Sequence, residues 1–289
     1  MRRMPPLIAL LRPHQWAKNV LAFVGLLAAH RWTDAAAWQA AAIAFAALCL
    51  IASAIYILND ALDVEHDRLD PDKRRRPLAA GTVSLGAAAA TGMALVACAV
   101  LLAMALPADG QAALLAYGGG ALAYNLGLKR VLWLDVMLLS GLYTLRVIAG
   151  ALACAIAPSP WLVAFSLFLF LSLAALKRYA ELARLAGGVL PGRPYRQGDG
   201  VLVMAVGVAA ALSAGVVLAL YVNAEDISRL YRLPELLWAL GPIVLTWLAR
   251  IWTHAHRGEL RGDPVLYALT DRASWIAAAA FLLCIVLAA

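Results

Sequence analysis

Asn59, Asp60, Asp63, Glu65, Asp67 and Asp70 crowd the end of a long apolar run, within NDALDVEHDRLDPDKRRRPLAAG (Asn59 to Gly81). Carboxylates this close repel one another. A divalent cation removes that cost and can hold a diphosphate at the same time. If the helix of the apolar run continues, Asn59, Asp63 and Asp67 are four apart and share one stripe. Asp60 sits about 100° around from Asn59 and off that stripe. Three oxygen-bearing side chains on one stripe suit Mg2+, which keeps several waters and takes one or two carboxylates plus phosphate oxygens. The bland alternative is a solvated helix end whose acids are balanced by Lys73, Arg74, Arg75 and Arg76. That basic run can serve phosphates or membrane topology.

The elements that must position these residues are membrane helices. Hydrophobic residues make up 64% of 289 positions and charged residues 14%, too apolar for a soluble domain. Nine apolar runs are long enough to cross a bilayer core, at roughly 7–30, 36–58, 83–106, 111–127, 131–157, 161–177, 201–222, 234–252 and 273–289. The fold expected is all-α and polytopic, one transmembrane domain over 1–289. Arg2 and Arg3 precede the first run as in a secretory signal, but Arg12, His14, Lys18 and Asn19 interrupt it and eight runs follow, so it reads as a retained helix. With the N-terminus in the cytoplasm, twenty of the 24 lysines and arginines fall inside, Arg31, Arg229 and Arg232 outside, and Arg146 within a run. This asymmetry follows the positive-inside rule. It predicts a multi-pass protein of the inner (plasma) membrane with its polar rim cytoplasmic, and accounts for the net charge of +7 without nucleic acid. Cys49, Cys98, Cys154 and Cys284 all lie within apolar runs with no CxxC pair, which implies burial as small apolar residues. The five histidines form no metal-ligand pattern.

Other polar residues stand out against this background. A lysine facing lipid is costly, so Lys18 should turn inward, toward a phosphate, or snorkel to the interface. Arg146 lies some fifteen residues into the fifth run and needs a polar cavity or a protein partner. Asp135, eleven residues earlier, is too distant along one helix to pair with it. ALKRYAELARLAGG (Ala175 to Gly188) offers Lys177, Arg178, Tyr179 and Glu181. Lys177 and Arg178 can bind phosphates or simply mark topology. Glu181, four residues past Lys177, either pairs with it or holds a ribose hydroxyl.

NDxxDxxxD at Asn59 to Asp67 followed by RRPLAAG (Arg75 to Gly81), with LRPHQWAKN (Leu11 to Asn19) upstream, resembles the UbiA superfamily of intramembrane prenyltransferases. The resemblance implies nine transmembrane helices around a central cavity, with polar motifs on a cytoplasmic cap. It implies Asn59, Asp63 and Asp67 as Mg2+ ligands. It carries contact with a leaving diphosphate to Tyr124 and Lys129; Asp135 is placed to orient one of the basic groups of that connection, Lys129 or Arg130. Aromatic prenyltransferases of the superfamily carry a second motif, DxxxD, after the sixth helix; KRYAEL stands at that place here. KRYAEL, YNLGLKRVLWLDV (Tyr124 to Val136) and LRVIAGALA (Leu145 to Ala153) are instead similar to the decaprenyl-phosphate phosphoribosyltransferases.

That branch implies transfer of 5-phosphoribose from 5-phosphoribose 1-diphosphate to a polyprenyl phosphate, within the membrane. Asp63, Asp67 and Lys129 are the expected catalytic residues. Lys18, Tyr124, Lys129, Arg146, Lys177, Arg178, Tyr179 and Glu181 are the expected substrate contacts. Assembly as a homo-oligomer stays open. Two other readings remain: aromatic prenyl transfer, which would need an acidic pair where only Glu181 and Asp199 stand, and a lipid or solute transporter, which would place ionisable residues nearer the midplane.

Overall fold

The computed structural model describes residues 5–71, 73–185, 187–224, 231–260 and 262–289. Arg2, Arg3, Arg229 and Arg261, which enter the charge asymmetry, lie outside them. Among the described residues twelve α-helices follow one another: α1 (Pro6–Leu11), α2 (Val24–Ala28), α3 (Ala35–Leu62), α4 (Val64–Leu69), α5 (Leu85–Ala103), α6 (Ala108–Leu126), α7 (Leu134–Ala153), α8 (Pro160–Ala183), α9 (Gly200–Val222), α10 (Leu240–His256), α11 (Pro264–Thr270) and α12 (Arg272–Ala288). No strand is present among the described residues.

Each of the nine apolar runs becomes helix, but not every one qualifies as a span. Helices α3, α5, α7, α8, α9 and the Pro234–His256 segment are long and apolar enough to cross a membrane. The pair α11 and α12, bent by 83°, makes a seventh if it counts as one span. The structure therefore supports six or seven spans where the sequence predicts nine. The first run fails because it is not one helix. Arg12 takes a left-handed backbone (φ 52°) ahead of Pro13, and an eleven-residue 3-10 stretch, Pro13–Phe23, replaces the expected α-helix. Proline lacks the N–H a continuing helix requires, and Lys18 and Asn19 are buried on the tighter stretch. Helix α6 carries Asp109, Gln111, Asn125 and a Gly118–Gly119–Gly120 triplet, which dilute its hydropathy.

The chain divides into two compact units. The first holds Met1–Gly127 and Leu145–Pro158. In it α3 packs on α5, α6 and the 3-10 stretch. Asp34 caps α3 by accepting from the Ala37 N–H at 3.0 Å. That bond, with Arg31 beside it, holds the Asp34 carboxyl below the usual carboxylate range. The second half of α7 meets the 3-10 stretch backbone to backbone: a Cβ on Gly150 would fall 1.8 Å from the Ala22 carbonyl oxygen. Only glycine fits there, and this close approach sets Arg146 against Asn19.

The second unit holds Leu128–Thr144 and Ser159–Ala289. Helix α8 lies along α9, and α10 packs on both and on α12. Gly207 of α9 gives room for the Trp252 ring, which a Cβ would meet at 2.2 Å. The buried Trp252 indole donates to the Ser172 hydroxyl at 3.0 Å, so the one polar atom of this large side chain is satisfied within the packing.

Candidate active site

In the first unit the acids stand where α3 passes into α4. The i to i+4 backbone bonds carry through, Asp63 N–H to the Asn59 carbonyl at 2.9 Å and Asp67 N–H to the Asp63 carbonyl at 2.8 Å. The expected stripe of Asn59, Asp63 and Asp67 is therefore one nearly continuous helical edge with a single irregular residue, Asp63 (φ −97°, ψ 7°). Its members differ in environment. Asp67 is buried, whereas Asn59 and Asp63 are half-buried. Asp63 has no side-chain partner among the described residues; Asp67 accepts from Arg76 Nη1 at 2.6 Å.

Asp60 is held by arginines. Although off the stripe, it is 2% exposed, accepts from Arg12 Nη2 at 2.5 Å, and shares Arg76 Nη1 with Asp67 at 3.2 Å. The guanidinium of Arg12 also lies 5.1 Å from the Tyr56 ring centroid. Asp60 and Asp67 are seven apart, two helical turns, and so share a face. That spacing was the signal available in the sequence, and it points at Arg76.

Arg76 is delivered by the RPLAAG turn. Leu78 is buried with Leu10, Ile57, Val83, Ala88 and Leu95. The Ala80 N–H bonds the Arg76 carbonyl at 2.8 Å, and the Thr82 N–H bonds the Pro77 carbonyl at 3.0 Å. Gly81 closes the turn at φ 70°, a value that favours glycine. The motif is thus a leucine-seated loop that holds an arginine over two buried carboxylates.

No three His, Cys, Asp or Glu side chains among the described residues are grouped to enclose a metal ion. The donor set still fits Mg2+, which needs only one or two carboxylates beside water and phosphate. Asn59, Asp63 and Asp67 supply oxygen alone, and a cation, the Arg76 guanidinium, already stands at Asp67.

Deeper in the same unit, buried Arg146 donates to Asn19 Oδ1 at 2.9 Å and to the Tyr117 hydroxyl at 2.7 Å, with the Tyr117 ring centroid 4.7 Å from the guanidinium carbon. Asn19 in turn donates to Cys49 Sγ at 3.2 Å. Lys18 is 7% exposed, the inward of the two placements open to it in the sequence. Tyr124 is also buried in this unit.

The second unit gathers the KRYAEL residues, and their partners differ from those expected. Arg178 is almost fully buried; its Nε lies 2.7 Å from Asp135 Oδ2 and its Nη2 donates to Asp135 Oδ1 at 3.1 Å. It also pairs with Glu181. Glu181 therefore pairs with the residue three before it, not with Lys177, and Asp135 forms ion pairs with Arg178 and Arg193. Tyr195 packs beside the pair, 5.8 Å from the Arg178 guanidinium, and burial pushes its phenol up to about 12. Lys177 reaches Asp263 at 3.5 Å. Asp263, which the sequence reading passed over, caps α11 by accepting from the Val265 N–H at 3.0 Å. Tyr179 shares a 2.9 Å bond with His256 Nδ1. Lys129 is half-buried on a short 3-10 turn, Leu128–Arg130.

The family model described as the UbiA prenyltransferase family matches residues 19–263. A Sinorhizobium fredii protein, "Uncharacterized protein y4nM", is 41% identical over 275 residues, covering 92% of this chain and 52% of its own length. The nodulation protein NoeC of Azorhizobium caulinodans is 34% identical over 92% of this chain and 87% of its own length. The decaprenyl-phosphate phosphoribosyltransferase of Corynebacterium glutamicum is 41% identical over 194 residues, 63% of this chain and 58% of that protein. The matches thus span little more than half the length of two of these three relatives. A UbiA homologue from Archaeoglobus fulgidus bound to GPP and Mg2+ superposes with a TM-score of 0.73 over 98% of this chain and 100% of that one, at 17% identity, a likeness of fold.

Proposed function

We propose that this chain, which belongs to the UbiA prenyltransferase family and is a multi-pass membrane enzyme of that type, transfers 5-phosphoribose from 5-phosphoribose 1-diphosphate to a polyprenyl phosphate. The observation that carries the reading is the polar end of α8. Two prenyl-diphosphate-bound metals would call for acids on two helix ends. Here α8 ends in Lys177 and Arg178, and its one acid, Glu181, is taken up by Arg178. A donor with a diphosphate and a further phosphate, plus a lipid phosphate, calls for one acidic cluster and several cations. The relatives named decaprenyl-phosphate phosphoribosyltransferase support the same choice over about three fifths of the chain.

In this reading Asn59, Asp63 and Asp67 hold Mg2+, the ion that accompanies GPP in the Archaeoglobus homologue. When bound, the ion neutralises charge on the diphosphate. Tyr124 and Lys129 donate to the diphosphate as the ribose C1–O bond breaks, and hold it as the leaving group. Lys18 and Lys177 serve the remaining phosphates. Arg178, locked between Asp135 and Glu181, fixes the end of α8 and so orients Lys177 and Tyr179; Arg146 holds the 3-10 stretch that carries Lys18. A phosphate oxygen of the lipid attacks C1 opposite the departing diphosphate. Both electron pairs are accounted for: the lipid oxygen supplies the new bond and the diphosphate leaves with the old one. No general base is needed, because a lipid phosphate is already ionised near neutral pH. The polar residues work at the cytoplasmic face of the cell membrane.

The test is direct. Purified protein in detergent micelles is mixed with 5-phosphoribose 1-diphosphate labelled in the ribose, a polyprenyl phosphate and Mg2+. A labelled lipid and one equivalent of diphosphate are expected. Folded protein that yields neither, yet transfers a prenyl group to an aromatic acceptor, would overturn the assignment.

A further inference from the structure

The three aspartates around the end of α3 stand in three different states. Asp60 has two guanidinium partners, Arg12 and Arg76. Asp67 has one, Arg76. Asp63 has none among the described residues. A single nitrogen, Arg76 Nη1, serves both buried acids, at 3.2 Å and 2.6 Å. The Arg76 side chain is 27% exposed against 2% and 3% for the acids. Its head therefore reaches the accessible edge of the site, while Leu78 and the Ala80 to Arg76 backbone bond keep the loop in place.

We propose that Arg76 is an exchangeable counter-ion: it neutralises Asp67 until a divalent cation takes that carboxylate, and then passes to the diphosphate. The proposal rests on Asp63 and Asp67 being the metal ligands. A buried carboxylate needs a positive partner in every state. Asp60 keeps Arg12 when Arg76 departs, so the exchange leaves no orphan there. Asp67 has no second arginine among the described residues, so its partner is either Arg76 or the cation. Asp63, without a partner, is the open ligand at which the cation first arrives.

Binding order follows from charge. A cation arriving alone must displace Arg76 and leave a guanidinium, always ionised, beside a doubly charged ion. A cation arriving with diphosphate gives the released guanidinium an acceptor with two oxygens to grip. The two ligands therefore bind cooperatively, and the coupling is reciprocal. One charge-assisted hydrogen bond at stake corresponds to a coupling of about tenfold or more.

The experiment measures Mn2+ binding by electron paramagnetic resonance to the full chain in detergent micelles. It is done with and without inorganic diphosphate and corrected for the complex the two form in solution. Wild-type protein is expected to bind Mn2+ about tenfold tighter when diphosphate is present. In Arg76→Gln, Mn2+ alone is expected to bind about tenfold tighter than in wild type, with the coupling smaller than in wild type by about the same factor. Arg76→Lys keeps the charge without the fork, should fall between the two, and carries the test if the Gln variant fails to fold. Folded Arg76→Gln or Arg76→Lys protein that matches wild type in both affinity and coupling overturns the proposal, as does wild-type protein without coupling. Asp63→Asn separates the premise from the inference. If it binds Mn2+ as wild type does, the ligand assignment itself is wrong. If it loses Mn2+ while the Arg76 variants behave as wild type, only the counter-ion role falls.

Discussion

Arg178 and Arg76, one in each unit, each bind a pair of acids, and they do so in opposite ways. Arg178 projects from the body of α8, meets Asp135 through two nitrogens, pairs with Glu181 besides, and is 2% exposed. Arg76 comes from a loop, serves Asp60 and Asp67 through one nitrogen, and keeps over a quarter of its side chain accessible. An arginine buried on a helix between two acids is a fixture, because breaking the pairing strands a charge away from water. A single shared nitrogen at the edge of a site can be traded for another cation. The comparison points the first cluster to scaffold and the second to chemistry.

The sharpest way to break this contrast is Asp135→Ala. It leaves Arg178 without its two-nitrogen partner, and a loss of about 3–5 kcal/mol is expected, read as a large fall in the thermal midpoint in detergent. A melt unchanged from wild type would show that the α8 pair is not a fixture. Next comes Asp63→Ala, with the opposite signature: turnover down by at least about 100-fold, since outer-shell changes alone reach that size, and a thermal midpoint close to wild type. Retained activity would remove the metal role from the stripe. Lys177→Ala should raise the KM for a phosphate-bearing substrate about tenfold with a lesser effect on kcat, and Lys177→Arg should recover most of it. Initial rates at varied donor and acceptor decide this.

The smallest effect concerns Asp34. Its folded carboxyl is depressed by the α3 cap, so the stabilisation it provides is complete above the ordinary carboxylate range and is lost as pH falls through the lowered value. Thermal midpoints should therefore decline on acidification less steeply in Asp34→Asn, which caps without ionising, than in wild type.

Much of this was open to reading from the residues. Apolar run lengths place the helices, and the spacing of four in Asn59, Asp63 and Asp67 places the stripe. Local spacing could not show which acid each cation meets. Arg178 and Asp135 are 43 residues apart, and nothing in their neighbourhoods favours that pairing over Lys129. Glu181 lies within helical reach of both Lys177 and Arg178, and tertiary placement of Arg178 beside Asp135 decides between them. The break at Arg12 is a conflict between Pro13 and an apolar run that reads as helix. The angle of Asp60 from Asn59 sets it off the stripe, while its two-turn separation from Asp67 puts those two acids on one face. Asp263 escaped notice because an aspartate before proline reads first as a helix start.

One consequence reaches into how the enzyme should respond to its medium. The Arg76 loop is seated by Leu78 among apolar side chains, and such contact does not weaken as ionic strength rises. Added salt screens the accessible guanidinium yet leaves its support untouched. Potassium chloride should therefore slow capture of an anionic donor without loosening the turn that presents the arginine.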